Sequence, residues 1–302
     1  MTRRPLVALA VAAALTACGP QRPEPAAGAA AAGPPQRIVP ASAGVVDLVA
    51  ALVPAERIAG LPAQALPFSA VGARPADPAL LARPRFEAYV AEALLALSPD
   101  LVICDRWQRA ETTERLREAG VPVLELDELE SLDSVRAALR RLGEVLGAQA
   151  ACEATLADLD ARVARLAASA PRRAGWRALA YSNGGGGGWL AGAGTTADEW
   201  IRLTGLRNAG AEGGRVGHVR CSFEELLALD PDLIVVSTRA EGGEEGITAR
   251  ILREEPGLAG LRAVREDRIV ALEAWLYSGV GPQLVTAAET LAPLADAALE
   301  PR

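Results

Sequence analysis

The sequence predicts an α/β protein of two parallel-sheet lobes joined by one long backbone helix, and three features of its 302 residues carry that prediction. First, a segment recurs. Glu92-Ala-Leu-Leu-Ala-Leu-Ser-Pro-Asp-Leu-Val-Ile103 returns as Glu224-Glu-Leu-Leu-Ala-Leu-Asp-Pro-Asp-Leu-Ile-Val235, 132 residues later, with eight of twelve positions identical. Second, strand-like and helix-like runs alternate around each copy, as βα units do. Third, Leu156, Leu159, Val163 and Leu166 fall between the copies at the spacing of one helical stripe.

In the first half, Arg37–Ala41 reads as a strand, Val45–Val53 as a helix and Arg57–Gly60 as a strand. Each repeat copy then gives a short helix, Glu-x-Leu-Leu-Ala-Leu, stopped where proline disfavours helical geometry in the residue before it. The β-branched run that follows reads as a buried parallel strand. A helix near Glu111–Ala119, the strand Val121–Leu126 and a helix over Leu132–Leu146 complete this half. Gln149–Ala168 is the linking helix, a rod of about 30 Å ended near Pro171 and stiffer than crossing strands would be. In the second half, Arg177–Tyr181 reads as a strand and Thr196–Thr204 as a helix. After the second repeat copy come a helix near Ile247–Arg253, the strand Arg268–Leu272 and a last helix after Pro282.

Composition excludes several function classes. The 31 basic residues are all arginine, so a Walker A loop and a pyridoxal Schiff base lack their lysine. His218 is the sole histidine, which excludes a zinc site built from several imidazoles. A net charge of −7 without a basic stripe argues against nucleic acid as partner. Cys104, Cys152 and Cys221 stand in no CxxC spacing. One disulfide among them, or three buried thiols, both remain open.

The N-terminus reads as an export signal. Arg3 and Arg4 precede the apolar run Leu6–Leu15, which is shorter than the roughly 20 residues a membrane-spanning helix needs. It ends in Leu15-Thr16-Ala17-Cys18-Gly19, which resembles the bacterial lipoprotein cleavage box and makes Cys18 the candidate lipidation site. The alternative is an ordinary signal peptide with an incidental cysteine. Residues 1–18 are therefore expected to be a signal peptide and 19–36, rich in Pro, Ala and Gly, a flexible tether. Residues 37–147 are the N-terminal lobe, 148–170 the linking helix and 171–302 the C-terminal lobe. The expected location is the periplasm or cell surface, with the membrane reached through the lipid on Cys18.

With these elements in place the chain resembles the helical-backbone periplasmic binding proteins (class III), which deliver ferric siderophores, haem or vitamin B12 to ABC importers. The resemblance covers about residues 37 to 298. It rests on Arg37-Ile-Val, both Pro-Asp-Leu segments, Gly192-Ala-Gly-Thr-Thr-Ala-Asp-Glu-Trp200, Gly205-Leu-Arg-Asn208 and Gly281-Pro282. The chain departs from the family at Pro40-Ala41-Ser42-Ala43-Gly44, where a Pro-Ser-x-Thr-Glu loop is usual. The resemblance implies a monomeric substrate-binding lipoprotein that takes a small-molecule metal chelate, and because iron ligation would rest on one histidine, cobalamin or a ferric siderophore is favoured over haem. It also implies a permease with two-fold related subunits. In that family an acidic residue on each lobe docks onto permease arginines. Glu92 and Glu224, equivalent through the repeat, are the docking candidates, and completion of a helix N-terminus is their alternative role.

Ligands of parallel α/β sheets bind beyond the C-terminal ends of the strands. Five of the eleven aromatics fall in those loops: Trp107, Tyr181, Trp189, Trp275 and Tyr277. Rings give a flat, partly apolar guest a large contact area with few rotors to freeze. With His218 and Arg239 they form the candidate ligand-binding set, and Arg106, Arg220 and Arg239 are candidates for pairing with anionic groups. His218 or Tyr277 would ligate iron if the guest were haem. Ser182–Trp189, five of whose residues are consecutive glycines, reads either as a mobile lip carrying Trp189 or as a plain loop. No catalytic residue and no resident cofactor is expected. The rival readings are an extracytoplasmic hydrolase using His218, although no Gly-x-Ser-x-Gly elbow is present, and a ligand-sensing lipoprotein without a transport role.

Overall fold

Short buried runs build the first sheet. The computed structural model describes residues 33–63, 66–74, 77–238 and 246–300, and Pro34 onward belongs to one unit. β1 (Ile38–Pro40) leads into α1 (Ala43–Ala50). A small parallel pair, β2 (Leu61–Pro62) with β3 (Arg85–Phe86), brackets α2 (Ala70–Ala73) and α3 (Pro78–Leu81). Then come α4 (Ala91–Leu95), β4 (Leu101–Asp105), α5 (Ala110–Glu118), β5 (Val123–Leu126) and α6 (Leu132–Val145). The sheet order is β1-β4-β5, all parallel. Of the strand expected at Arg57–Gly60, only Ile58 bridges to Ile38.

α7 (Gln149–Ser169) crosses to the second half as one 21-residue helix and gives way to a 3-10 turn at Ala170–Arg173, where Pro171 sits. β6 (Arg177–Asn183), β7 (Gly188–Ala191), α8 (Thr196–Thr204), β8 (Arg207–Asn208), β9 (His218–Cys221) and α9 (Phe223–Leu229) follow. The chain closes with β10 (Leu233–Ser237), α10 (Ile247–Glu254), α11 (Arg262–Arg265), β11 (Ile269–Leu272), α12 (Ala274–Tyr277) and α13 (Gln283–Leu299). The second sheet runs β11-β10-β6-β7-β9. Its first three strands are parallel, but β6-β7 and β7-β9 are antiparallel. This half is therefore a mixed sheet rather than the purely parallel one expected.

The antiparallel extension places the glycine run at the turn between β6 and β7. Ser182 and Asn183 continue β6, Gly188 and Trp189 begin β7, and the reversal between them occupies four residues. Gly185 and Gly187 hold positive φ, and a Cβ on Gly188 would run into the Tyr181 phenol. The run therefore turns a hairpin, with Gly188 fitted closely over the buried Tyr181 ring.

The repeat is a repeat of structure. Ser98 and Asp230, 132 residues apart, both hold left-handed backbone just before their prolines. Asp100 accepts the Arg37 N–H at 2.9 Å, and Asp232 accepts the Arg177 N–H at 2.9 Å. The guanidinium of Arg37 then donates to the carbonyls of Leu97 and Ser98, and that of Arg177 to those of Leu229 and Asp230. Each Pro-Asp thus anchors the start of a neighbouring strand, whose arginine satisfies the carbonyls left free at a helix end. These contacts give the Pro-Asp placement a structural meaning.

Alternation along the strands separates the cores. Ala178, Ala180, Leu233 and Val235 face a core shared with α1, α6, α7, α8 and α13, while Leu179, Tyr181, Ile234 and Val236 face a separate outer core. Cys104, Cys152 and Cys221 are buried free thiols, and burial pushes Cys104 and Cys221 up to about 11. Among the described residues no helix is long and apolar enough to cross a membrane.

Candidate functional site

Both halves contribute to one cavity of about 410 Å³. From the first half come Arg106 and Trp107, just past the C-terminal end of β4, and Glu130, ahead of α6. From the second half come Ala191 at the end of β7, the Gly194–Ala197 start of α8, His218 at the start of β9, and Tyr277, Ser278 and Val280. Trp107 is 73% exposed, which is unusual for a tryptophan and leaves its ring available to a guest.

Arg106 is already engaged. It pairs with Glu128 at 2.5 Å and Glu130 at 3.3 Å, and its guanidinium carbon lies 4.7 Å from the centre of the Trp107 ring. The Glu128 carboxylate, helped by Glu130, raises the guanidinium above its ordinary value. Arg106 therefore orients Trp107 at least as much as it offers free positive charge.

Tyr277 and His218 present unused polar atoms. Tyr277 closes α12, with its ring centroid 6.0 Å from that of the buried Trp200. Burial pushes its hydroxyl well above the ordinary range, so it stays protonated. Among the described residues neither the Tyr277 hydroxyl nor the exposed His218 ring makes a hydrogen bond.

Other predicted residues lie elsewhere. Tyr181 is fully buried, and its hydroxyl accepts from Asn183 Nδ2 at 3.2 Å. It falls two residues short of the end of β6, and alternation turns it into the outer core, so it contributes nothing to the cavity wall. Trp275 is 4% exposed, donates its indole N–H to Glu273 at 3.0 Å, and lies under Arg74 at 5.5 Å. Two helical residues are turned about 200° from each other, so α12 aims Tyr277 at the cleft and Trp275 away from it. Trp275 lines a different cavity, with Asp47 and Gln283.

Trp189 is 41% exposed and is not on the cavity wall. It pairs across the ribbon with Arg220, whose guanidinium carbon lies 5.0 Å from the ring centre. Ala191 pairs with His218 two positions along, so all four residues share one ribbon face. Arg239 and Cys18 lie outside the described residues. Sequence reasoning missed Glu130, Gly194–Ala197, Ser278 and Val280. The quoted Gly192–Trp200 motif contained the α8 start, but only the packed geometry shows that it faces Trp107.

Glu92 and Glu224 each occupy the second position of a short helix, α4 and α9, and both are exposed. Glu92 lies 3.6 Å from Arg115. Glu224 is held below the ordinary carboxylate range by its own backbone N–H and by Ser222.

Comparison with known proteins bears on what such a cleft is for. Residues 42–275 match the periplasmic binding protein family. The chain belongs to that family. A "Cobalamin-binding protein" of Halobacterium salinarum (strain ATCC 29341 / DSM 671 / R1) is 32% identical over 151 residues, half of this chain and 41% of the length of that protein. The chain thus matches only about two fifths of that curated relative. Among solved structures, the "Periplasmic heme-binding protein RhuT from Roseiflexus sp. RS-1 in apo form" superposes with a TM-score of 0.74 at 28% identity, covering 87% of this chain and 99% of that one. A periplasmic heme binding protein from Pseudomonas aeruginosa gives 0.70 at 30%, covering 87% of this chain and 92% of that one. The class III architecture, two sheets joined by a long helix, is that of such binding proteins.

Proposed function

We propose that this chain is the extracytoplasmic substrate-binding component of an ABC importer and takes a bulky metal chelate between its two halves. The observation that carries this reading is a cavity walled by Trp107 from the first half and by His218 and Tyr277 from the second. An exposed indole sharing a cavity with imidazole and phenol groups that make no hydrogen bond among the described residues suits a flat guest with a metal at its centre. Family membership and the likeness to heme-binding and cobalamin-binding proteins support the same class of guest.

Cobalamin and ferric siderophores remain candidates. His218 and Tyr277 in one cavity, without hydrogen bonds among the described residues, favour an iron tetrapyrrole more than the sequence alone did. In this reading residues 1–18 are removed, Cys18 carries the lipid and residues 19–36 tether the body to a membrane. Glu92 and Glu224 meet the two permease subunits, where exposed like charges at repeat-related helix starts fit a two-fold partner.

Tryptophan fluorescence titrated with cyanocobalamin, hemin and a ferric hydroxamate tests the reading. Saturable quenching by one of the three is the expected outcome, lost in Trp107→Ala by about tenfold or more in Kd. No quenching by any of them, or quenching unchanged in Trp107→Ala, contradicts it.

A further inference from the structure

Asp47 of α1 is a carboxylate held almost out of solvent where the first half meets α13. It accepts from the N–H groups of Ala70 at 2.9 Å and Val71 at 3.1 Å, which open α2, and from Gln283 Nε2 at the head of α13. Three donors on one carboxyl is the arrangement of the ionised group. Gln283 is itself buried, and its Oε1 has no partner among the described residues. An orphaned buried carbonyl is costly, and here it belongs to an amide with two faces. Turned over, that amide offers Oε1 to Asp47, and a protonated Asp47 donates its O–H there. The pair therefore has one arrangement for each protonation state of Asp47.

Burial raises Asp47 from 3.8 to about 6 against the pull of its three donors, so both states are populated in mildly acidic solution. Arg74 at the end of α2, Asp77 at the start of α3 and Arg162 of α7 line the cavity that Asp47 and Gln283 share. Arg74 is held by Glu273 at 2.9 Å and Arg162 by Glu289 of α13 at 2.6 Å. Among the described residues none of these forms an ion pair with Asp47.

The pair is wired to the cleft. Gln283 follows directly on the 278–282 turn, whose Ser278 and Val280 stand on the wall of the guest cavity beside Tyr277. Gly281 donates its N–H to the Leu129 carbonyl of the first half at 3.2 Å. Val280 packs so tightly on Gly44, three residues before Asp47, that a Cβ there would overlap Val280 Cγ2. Gln283 Oε1 faces the same turn, 3.4 Å from where a Cβ of Gly281 would stand. Overturning the amide puts a donor where that turn now meets an acceptor.

We propose that Asp47 and Gln283 form a proton-dependent clasp between the halves: the ionised form seats the 278–282 turn for guest binding, and protonation loosens the guest. This rests on the binding reading above and adds regulation to it. Physically, a two-state element biased by one proton changes affinity at the site it supports.

The test compares the parent with Asp47→Asn at about pH 5 and about pH 7.5, using cyanocobalamin, hemin and a ferric hydroxamate as fluorescence probes. The parent should bind its probe about fivefold or more weakly at the acid pH, and Asp47→Asn should bind weakly at both. The same pH step in both proteins overturns the clasp. Hydrogen exchange at residues 279–281 without any guest separates the two readings. A pH step in protection present in the parent and absent in Asp47→Asn supports the clasp even if no probe binds, which would sink the import reading instead. An identical step in both proteins with binding intact sinks the clasp alone. Should Asp47→Asn fail to fold, Gln283→Leu decides. Asp47 stays buried there, and a carboxyl raised by folding loses stability as pH climbs from about 4 through about 6. That stability step should persist while the affinity step disappears, and an affinity step that survives in Gln283→Leu overturns the proposal.

Discussion

Tyr277 stands on the cleft wall and its hydroxyl makes no hydrogen bond among the described residues, so removing that oxygen sacrifices no bond seen there. Tyr277→Phe should leave the unfolding midpoint in urea unchanged. It should weaken hemin binding by about tenfold, a loss of about 1.4 kcal/mol, if the phenol oxygen serves the metal. Tyr181→Phe should do the reverse. It strands Asn183 Nδ2 in a buried site and costs about 1 kcal/mol of stability, with guest affinity untouched. Urea melts and hemin titrations on the two variants check both statements. The contrast also marks what could be read in advance. Residue type and loop position picked out Tyr181, Tyr277 and three tryptophans near the strand ends. Whether a ring points into a cleft depends on where a strand stops and how a one-turn helix is rotated. Two more residues of β6 sent Tyr181 inward, and the turn of α12 sent Trp275 behind the cleft.

Among the elements, the twin arginine staples hold each repeat. Arg177 is mostly covered. It donates to Leu229 and Asp230 carbonyls and pairs with Glu212 at 2.5 Å, whereas the equivalent Arg37 is exposed. Arg177→Ala should therefore cost about 1.5–3 kcal/mol and Arg37→Ala about 1 kcal/mol or less, measured by chemical denaturation. Equal losses would show that burial is not what separates them. Long elements were readable because their periodicity is strong: α6, α7, α8, α10 and α13 all begin within a residue or so of where pattern and punctuation put them. β7, β8 and β9 were missed, being two to four residues each and set among glycines with no alternating apolar signal. The antiparallel course of β7 against β6 comes from the glycine hairpin, whose turn geometry the composition alone did not reveal.

For the whole molecule, the halves are tied at several places besides the linking helix. Glu199 of α8 accepts the Leu132 N–H at the head of α6 at 3.1 Å, Gly281 reaches the Leu129 carbonyl, and Gln283 reaches Asp47. α7 is braced to α13 through Arg162 and Glu289, and the buried Arg173 beyond it pairs with Asp296 at 2.8 Å. So many fixed contacts favour a cleft formed before the guest arrives, walled from both sides. The duplicated segment made that two-sided design legible, because a structure repeated 132 residues apart offers two sets of strand ends to one ligand. The identity of the guest was not legible, because it depends on which few side chains converge. Hydroxyl-radical footprinting with and without the bound chelate tests this account most directly. It predicts that Trp107 from one half and His218 and Tyr277 from the other lose reactivity together, while Tyr181 and Trp275 do not change. Protection confined to one half, or centred on Trp275, would contradict it.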